Sequence, residues 1–186
     1  QVPGHHNLLN AAGVLATGLK LGFGAAELLT GLSTFRGTGR RFEVKGTVHG
    51  VRVIDDYGHH PTELKVTLEA ARRYAADGRL IVIFQPHRYS RTQAFAQGFA
   101  DVLDTADRAI VLEVYAASEK PIDGVTSKII TSKMSKGEYI PNFVEVTDSV
   151  IAMAEPGDVI MTLGAGDVSS LAPIIVDGLA RRFNQS

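Results

Sequence analysis

The chain has 186 residues, which is enough for one domain with a substantial core and a small additional piece. Its 19 basic and 20 acidic side chains leave a formal net charge of −1, so the overall charge does not support binding to nucleic acid or to a membrane surface. The absence of cysteine excludes disulfides and thiolate metal sites, and because no apolar run reaches the length of a membrane span or a secretory leader, we expect a soluble protein of the cytoplasm.

The first segment is helical in pattern but too small to form a core. Apolar residues between positions 7 and 32 recur at helical spacing, and either Asn7 or Asn10 is placed to cap the first helix. The glycine-rich stretch 35–42 is typical of a linker. Since the sequence also begins at Gln1 without a methionine, we expect residues 1–38 to be the end of a larger upstream domain and residues 39–186 to form a domain of their own.

Beyond the linker the pattern changes to that of an α/β domain. A hairpin is predicted from residues 42–45 and 51–54, joined by a turn at His49 and Gly50. Apolar runs without polar alternation are typical of parallel strands covered on both faces, and they occur at 80–84, 109–114 and 159–163. Helices are predicted over 62–76, over 93–103 behind a capping box of Ser90 and Gln93, and over 167–182. This alternation predicts a doubly wound, mostly parallel, Rossmann-like sheet with an N-terminal hairpin.

Polar side chains cluster in the loops that follow the predicted strands. In an open parallel sheet, ligands bind beyond the carboxyl ends of the strands. Three of the six histidines fall into these loops, together with two acids and two arginines; they are His59, His60, His87, Asp55, Asp56, Arg88 and Arg91. This clustering predicts a polar active site at one edge of the sheet.

Arg88 and Arg91 lie three residues apart at the predicted start of a helix. A helix N-terminus offers free N–H groups and partial positive charge, and arginine adds a planar fork that matches carboxylate or phosphate oxygens. An anion pocket is one interpretation. The other is that both arginines are solvated or pair with nearby acids, and the spacing alone does not separate the two.

Three interpretations remain open for the stretch Asp55-Asp-Tyr-Gly-His-His-Pro61. Histidine and carboxylate are ordinary metal ligands, a carboxylate at a strand end is a common anchor for ribose hydroxyls, and Asp, Gly and Pro also suit a simple turn before a helix.

The stretch Gly164-Ala-Gly166 favours a structural turn, since Ser169 stands where a dinucleotide-binding motif has its third glycine.

Five stretches of the chain, in order, resemble the Mur ligase family and cover nearly its whole length. They are His6-Asn7-x-x-Asn10-Ala11, Phe35-x-Gly-x-x-Arg-Arg-Phe-Glu43, Asp55-Asp-Tyr-Gly-His-His-Pro-Thr-Glu63, Gln85-Pro-His-Arg-Tyr-Ser-Arg-Thr92 and Leu163-Gly-Ala-Gly-Asp167. The fourth stretch resembles the branch that adds L-alanine, whereas the murein-peptide ligases, which attach a recycled tripeptide, differ there and come second.

The resemblance implies an ATP-dependent ligase of peptidoglycan precursor synthesis with three domains. The first domain binds the UDP-sugar, the second is a P-loop ATPase, and the third carries the incoming amino acid. The implied reaction is phosphorylation of the UDP-N-acetylmuramate carboxylate by ATP, followed by attack of the L-alanine amine on the acyl phosphate. Mg²⁺ and cationic side chains would stabilise the transferring phosphoryl group. Small molecules are therefore the expected partners, without nucleic acid or membrane.

The resemblance also implies roles for individual residues. Asn7 and Asn10 resemble residues that contact the adenine. Arg41 resembles an arginine directed at the nucleotide, and Arg40 is less securely placed in that role. Asp56 resembles the acid that binds the ribose. The amino-acid pocket would consist of Tyr57, His59, His60, His87, Arg88 and Arg91, with the arginines binding the L-alanine carboxylate. With the nucleotide contacts divided between the two pieces, residues 35–41 are expected to act as a hinge.

The sequence departs from the family by what it lacks. It contains no glycine-rich phosphate-binding loop with its lysine, and the metal ligands and the sugar-nucleotide domain are also missing. We therefore expect no catalytic residue and no metal site within this chain, and no activity from the chain alone. Two alternatives from other classes are a non-catalytic α/β module that binds a small anion or nucleotide, and a metal-dependent hydrolase using His59, His60 and His87.

Overall fold

Two helices come first in the structure, a computed structural model that describes residue 2 and residues 4–184. Helices α1 (His5–Lys20) and α2 (Ala25–Thr34) pack together where Gly18 leaves room for Leu28, because a Cβ at Gly18 would lie 2.6 Å from a Leu28 methyl carbon. The residue before α1 is Gly4, so the prediction that an asparagine caps this helix is wrong. Helix α2 contributes no buried residue. Apolar side chains of this piece are exposed instead: Leu8, Leu9, Val14, Leu19, Leu21, Phe23, Leu29 and Phe35.

The sheet begins with the predicted hairpin. Strands β1 (Glu43–Val48) and β2 (Val51–Asp56) are antiparallel, and both turn residues, His49 and Gly50, have positive φ. The register shifts between Val44 and Gly46, which makes a bulge in the outer strand. The hairpin thus supplies an antiparallel edge to a sheet that is otherwise parallel.

The remaining strands form the parallel part of a six-stranded sheet in the order β1-β2-β6-β3-β4-β5. Strands β3 (Leu80–Phe84) and β6 (Val159–Leu163) are buried at every position, which explains why β3 is wholly apolar and β6 has one polar residue, Thr162. Strand β4 (Arg108–Val111) follows, and β5 (Gly137–Tyr139) forms the far edge. The predicted α/β class with a mostly parallel sheet and an N-terminal hairpin is confirmed.

Helices cover both faces of the sheet because successive strand residues point to opposite sides. Val82 and Phe84 pack in one core cluster with side chains of α3 (Pro61–Ala75) and α4 (Tyr89–Leu103). Ile81 and Ile83 pack in the other with side chains of α6 (Phe143–Met153) and α7 (Leu171–Asn184), which follows a short 3₁₀ turn at Asp167–Ser170. Strand β5, helix α6 and the four-residue α5 (Lys128–Thr131) were not predicted.

Helix α4 begins earlier than predicted. Arg88 occupies the N-cap position with a φ of 74°, and no side chain of the helix caps it, so the predicted capping box of Ser90 and Gln93 is wrong. Glu119, distant in sequence, accepts hydrogen bonds from the Ser90 backbone N–H at 3.0 Å and from the Ser90 hydroxyl at 2.6 Å. None of the helices that these described residues form is both long and apolar enough to cross a membrane.

Candidate active site

The loops after the parallel strands meet at one edge of the sheet, as expected for parallel strands. Strand β2 is followed by the loop that carries Tyr57 and the paired histidines, and β3 is followed by the loop with His87 and the arginines. After β4, Tyr115 pairs with His87 in a parallel bridge. The loop after β6 lies against the β3 loop, because Gln85 donates its backbone N–H to the Leu163 carbonyl. Residues far apart in sequence therefore share one surface.

Four aromatic rings form a continuous row along this edge, which we call the ring row: Tyr57, His59, His87 and Tyr115. The ring centroids of Tyr57 and His59 are 5.3 Å apart, and those of His59 and His87 are 5.7 Å apart. His87 and Tyr115 stack at 5.6 Å with their planes 18° apart. The structure thus brings together three residues predicted for the amino-acid pocket and adds Tyr115, which the sequence interpretation missed although it directly follows a predicted strand.

Arg40 and Arg41 lie at the Tyr57 end of the ring row, with their guanidinium carbons 5.1 and 5.6 Å from its ring centroid. Arg40 is held firmly: its Nε donates to Asp55 at 3.1 Å and its Nη2 to the Gly164 carbonyl at 2.6 Å. The Asp55 side chain is completely buried. Arg41, by contrast, is exposed. Arg40 thus anchors the linker to the sheet and leaves Arg41 beside the ring row.

The Asp56 carboxylate is buried and organises the neighbouring backbone. It accepts hydrogen bonds from the N–H groups of Phe42 and Gly58, both at 2.8 Å, and from the Thr67 hydroxyl at 3.3 Å. Burial raises the pKa of this carboxyl, although the hydrogen bonds from Gly58 and Phe42 oppose the shift. A carboxylate offers about four acceptor positions, so about one remains for a ligand hydroxyl.

His60 and Glu63 together cap the start of α3. The Nδ1 atom of His60 accepts from the Thr62 N–H at 3.3 Å, and Glu63 accepts from the N–H groups of His59 and His60 at 2.9 and 3.2 Å. The His60 ring packs on Phe95 with 4.7 Å between centroids. Burial alone would raise the pKa of Glu63, but the His59 N–H bond and the His59 charge outweigh it and lower that pKa. Glu63 is a second residue that the sequence interpretation missed, although its spacing from His60 is that of a capping box.

His87 and Arg91 contact each other at the other end of the site. Nη1 of Arg91 lies 3.3 Å from Nδ1 of His87. Burial lowers the pKa of His87, and the charges of Arg91, His59 and Arg88 lower it further. The Arg88 backbone N–H donates to the Tyr115 carbonyl at 2.8 Å while its side chain is exposed. Both arginines therefore stand at the start of α4 next to the ring row.

The N-terminus of α4 is partly occupied by the protein itself. Because Glu119 accepts from the Ser90 N–H and hydroxyl, that backbone donor is not free for a ligand. The expectation of free N–H groups at this helix start is wrong for Ser90. An anion at this place would be bound by the arginine side chains in the first instance.

The glycines after β6 allow close packing within the protein. A Cβ at Gly164 would lie 2.6 Å from the Gln85 carbonyl, and one at Gly166 would collide with Oε1 of Gln85 and lie 2.7 Å from Cγ of Tyr115. Gln85 also donates to Asp167 at 2.7 Å and accepts from the Val168 N–H at 3.1 Å. These contacts favour the structural-turn interpretation of this stretch.

Two predicted nucleotide contacts belong to the helical piece, and the metal interpretation gains no support. Asn7 and Asn10 are on α1, where Asn7 is half-buried and Asn10 is exposed. Within the described part of the chain, no group of three or more histidine and acidic side chains is arranged to hold a metal ion.

Comparison with known proteins gives consistent results. The family model described as Mur ligase, glutamate ligase domain, matches residues 40–166. The UDP-N-acetylmuramate–L-alanine ligase of Paenarthrobacter aurescens (strain TC1) is 50% identical over 179 residues, which are 96% of this chain and 39% of that protein. The chain therefore spans about 39% of the length of the curated relatives that it matches.

Solved structures give the same picture of the fold. The UDP-N-acetylmuramate–alanine ligase of Thermotoga maritima matches with a TM-score of 0.80 at 31% identity, over 100% of this chain and 39% of its own. A murein peptide ligase from Psychrobacter arcticus matches with a TM-score of 0.71 at 24% identity, over 95% of this chain and 37% of its own, a likeness of fold alone. The predicted order of resemblance, with the L-alanine-adding branch first, is confirmed.

Proposed function

This chain belongs to the Mur ligase family, and we propose that it is the C-terminal part of a UDP-N-acetylmuramate–L-alanine ligase of peptidoglycan precursor synthesis. ATP phosphorylates the carboxylate of UDP-N-acetylmuramate, and the amine of L-alanine then displaces phosphate from the acyl phosphate. The ATP phosphates and Mg²⁺ are held by parts of the ligase outside this sequence, and the enzyme works in the cytoplasm with small molecules as its partners. The chain by itself is inactive.

The proposal rests on the position of two arginines next to the ring row, at the edge of the sheet formed by the carboxyl ends of the parallel strands. The Arg91 guanidinium contacts the His87 ring and the charge of Arg88 acts on the same ring, and a guanidinium matches a carboxylate bidentately. L-Alanine is small, so binding through its carboxylate leaves the amine as the free end. Tyr57 and His59 line the neighbouring part of the row, so the amine would point along it.

The nucleotide contacts are proposed at the other end of the row. Arg41 beside Tyr57 would face the nucleotide, and the remaining acceptor position of Asp56 would receive a ribose hydroxyl. Asn7 and Asn10 on α1 would contact the adenine from the helical piece. A site assembled from both pieces requires the linker at residues 35–41 to act as a hinge.

The test is steady-state kinetics on the full-length ligase that contains this sequence, with each substrate varied in turn. Removing a charge-assisted hydrogen bond in a desolvated site costs about 2–4 kcal/mol, so Arg88→Ala or Arg91→Ala should lower kcat/KM for L-alanine by roughly 30- to 1000-fold. Arg88→Lys should recover only part of the loss, because lysine keeps the charge without the planar fork. The KM for ATP should change little.

The matched control is Arg73→Ala, since Arg73 is an exposed arginine on α3 outside the site. If Arg88→Ala impaired ATP and left L-alanine unaffected, the arginines would belong to the nucleotide site. If the full-length protein used a muramyl tripeptide and rejected L-alanine, it would be a murein-peptide ligase. If it formed no ATP-dependent product with either, the chain would be a binding module.

A further inference from the structure

The three histidines of the site differ in which ring nitrogen carries the proton. A neutral imidazole has one N–H donor and one lone-pair acceptor, and the partner of one nitrogen fixes the role of the other. Each of these rings uses Nδ1 for a contact within the protein. The chemical nature of each partner therefore decides what Nε2 can offer to a substrate.

His60 and His87 both use Nδ1 as an acceptor. The partner of His60 is the backbone N–H of Thr62 at 3.3 Å, and the partner of His87 is Nη1 of Arg91, also at 3.3 Å. Both partners are donors that cannot accept, so in each neutral ring the proton is on Nε2. His60 and His87 can therefore donate a hydrogen bond into the site, but neither presents a free lone pair there.

His59 is the reverse case. Its Nδ1 lies 3.2 Å from the Tyr57 carbonyl oxygen and 3.5 Å from Oε2 of Glu63. Both partners are acceptors, so Nδ1 carries the proton and the lone pair is on Nε2. The side chain is 23% exposed, so the ring is accessible from solvent. A carboxylate next to Nδ1–H fixes the orientation of the ring and leaves Nε2 free to take up a proton, which is the arrangement of a general base with its orienting acid.

We propose that His59 is the general base of the ligation step and that Glu63 is the residue that positions it. This proposal rests on the proposed function. Within that function, the family resemblance implies only that His59 lies in the amino-acid pocket, and the proposal gives it a chemical role there. His59 is suited by its location between Tyr57 and His87, in the middle of the ring row.

The proton balance of the step is complete without any further reactant. The bound amino acid arrives as an ammonium ion, and Nε2 of His59 takes one proton from it. The nitrogen lone pair then attacks the acyl carbon, a C–N bond forms, and the C–O bond to the phosphoryl group breaks. The second N–H proton leaves with the inorganic phosphate. His59 returns its proton to solvent before the next turnover.

The charged and titratable groups around His59 come from three elements. Glu63 on α3 is the acid next to Nδ1, Tyr57 after β2 contacts the ring in a T-shaped arrangement, and His87 after β3 packs against it with 5.7 Å between ring centroids. Arg91 lies behind His87 and contacts its ring. A positive charge on His59 therefore has a carboxylate partner, whereas one on His87 would face an arginine.

The experiment compares two nucleophiles in the full-length ligase. Hydroxylamine is neutral at the assay pH and captures an acyl phosphate as a hydroxamate without a base, whereas L-alanine must first lose a proton. His59→Gln keeps a side-chain donor for Tyr57 and Glu63 but has no base. We expect kcat for L-alanine to fall by about 10²- to 10⁴-fold. ATP-dependent hydroxamate formation should stay within a few-fold, and L-alanine ligation should recover as the pH is raised and the free amine becomes abundant.

Two further variants make the result decisive. His59→Ala should regain L-alanine ligation when imidazole is added, and Glu63→Gln should lower kcat for L-alanine more than its KM. His49→Gln is the matched control, because His49 lies in the hairpin turn and stacks on Phe183 away from the site. Equal losses with hydroxylamine and L-alanine in His59→Gln would overturn the proposal, as would a change in KM alone or an absence of imidazole rescue in His59→Ala. Failure of the unaltered enzyme to form either product would instead reject the proposed function.

Discussion

Replacing Arg40 by alanine should destabilise the sheet domain through the acid that it leaves behind. Asp55 is completely buried, and its carboxylate has two partners, Nε of Arg40 at 3.1 Å and the Thr162 hydroxyl at 2.6 Å. Arg40→Ala leaves a buried charge with one neutral hydrogen bond. Removing one member of a buried pair typically costs about 3–5 kcal/mol. Because the Arg40 side chain is 27% exposed, we expect the lower end of that range.

Urea denaturation of the 186-residue chain, followed by circular dichroism, measures this change. With a slope of about 2 kcal/mol per molar urea, a loss of about 3 kcal/mol moves the midpoint down by roughly 1.5 M. Adding Asp55→Asn to Arg40→Ala should restore part of the loss, since the neutral amide carries no uncompensated charge. The control Arg73→Ala, at an exposed position of α3, should stay within about 0.5 kcal/mol. A loss below about 1 kcal/mol for Arg40→Ala, with no recovery in the double variant, would refute the reasoning.

Three other predictions concern further positions, the first tested on the full-length ligase that contains this sequence and the other two on the 186-residue chain. Gly166→Ala should displace the Tyr115 ring and lower ligase activity, because the new Cβ would lie 2.7 Å from Cγ of Tyr115. The control is Gly13→Ala, because no atom lies within 4 Å of a Cβ at that position. Equal activity of the two variants would contradict the packing argument. Phe99→Ala in the core should cost about 3–5 kcal/mol in urea denaturation, whereas Ile174→Ala on the exposed side of α7 should cost far less. Burial alone would raise the pKa of the Asp158 carboxyl, but its hydrogen bonds with Arg79 outweigh burial, so the pKa is lowered from its ordinary value of 3.8. The ionised carboxylate therefore stabilises the fold above pH 3.8, and this contribution is lost as the pH falls below that value. Denaturation of Asp158→Asn across that range should show a smaller loss of stability in acid than the unaltered chain, and an unchanged slope would remove Asp158 from the acid response.

The parts of the fold that the sequence predicts are those whose residues determine their structure locally. Strand β3 is apolar at every position and β6 at every position but Thr162, because helices cover both their faces. The edge strand β5 is three residues long and half-buried throughout, so it carries no comparable pattern. Helix α6 did carry a signal that was overlooked: Asn142 accepts from the Val144 and Glu145 N–H groups at 2.8 and 3.2 Å, as an N-cap residue does.

The location of the candidate site was more predictable than the bonds within it. The proximity of Tyr57, His59 and His87 was predictable, because the loops after parallel strands lie at one edge of the sheet. The capping of α4 by Glu119 was not predictable from the local sequence, since that contact joins residues 29 positions apart. The ion pair of Arg40 with Asp55 was not predictable either, because nothing in the local sequence shows which of the two adjacent arginines lies beside the buried acid.

The bonds of Arg40 also determine which part of the chain can pivot. Arg40 is joined to Asp55 and Gly164, so the backbone from this residue onward should turn as one rigid body with the sheet, and bending is confined to residues 35–39. Helix α1, with 16 residues, is about 24 Å long, and its start is near the pivot, because a Cβ at Gly37 would lie 3.3 Å from a Val2 methyl carbon. A turn of about 10° therefore moves the Lys20 end of α1 by roughly 4 Å and moves Asn7 and Asn10 by less. Arg41 would keep its distance from Tyr57 throughout such a swing, while Asn7 and Asn10 would approach or withdraw. We therefore expect a nucleotide to meet a fixed contact on the sheet side and a movable one on the helical side.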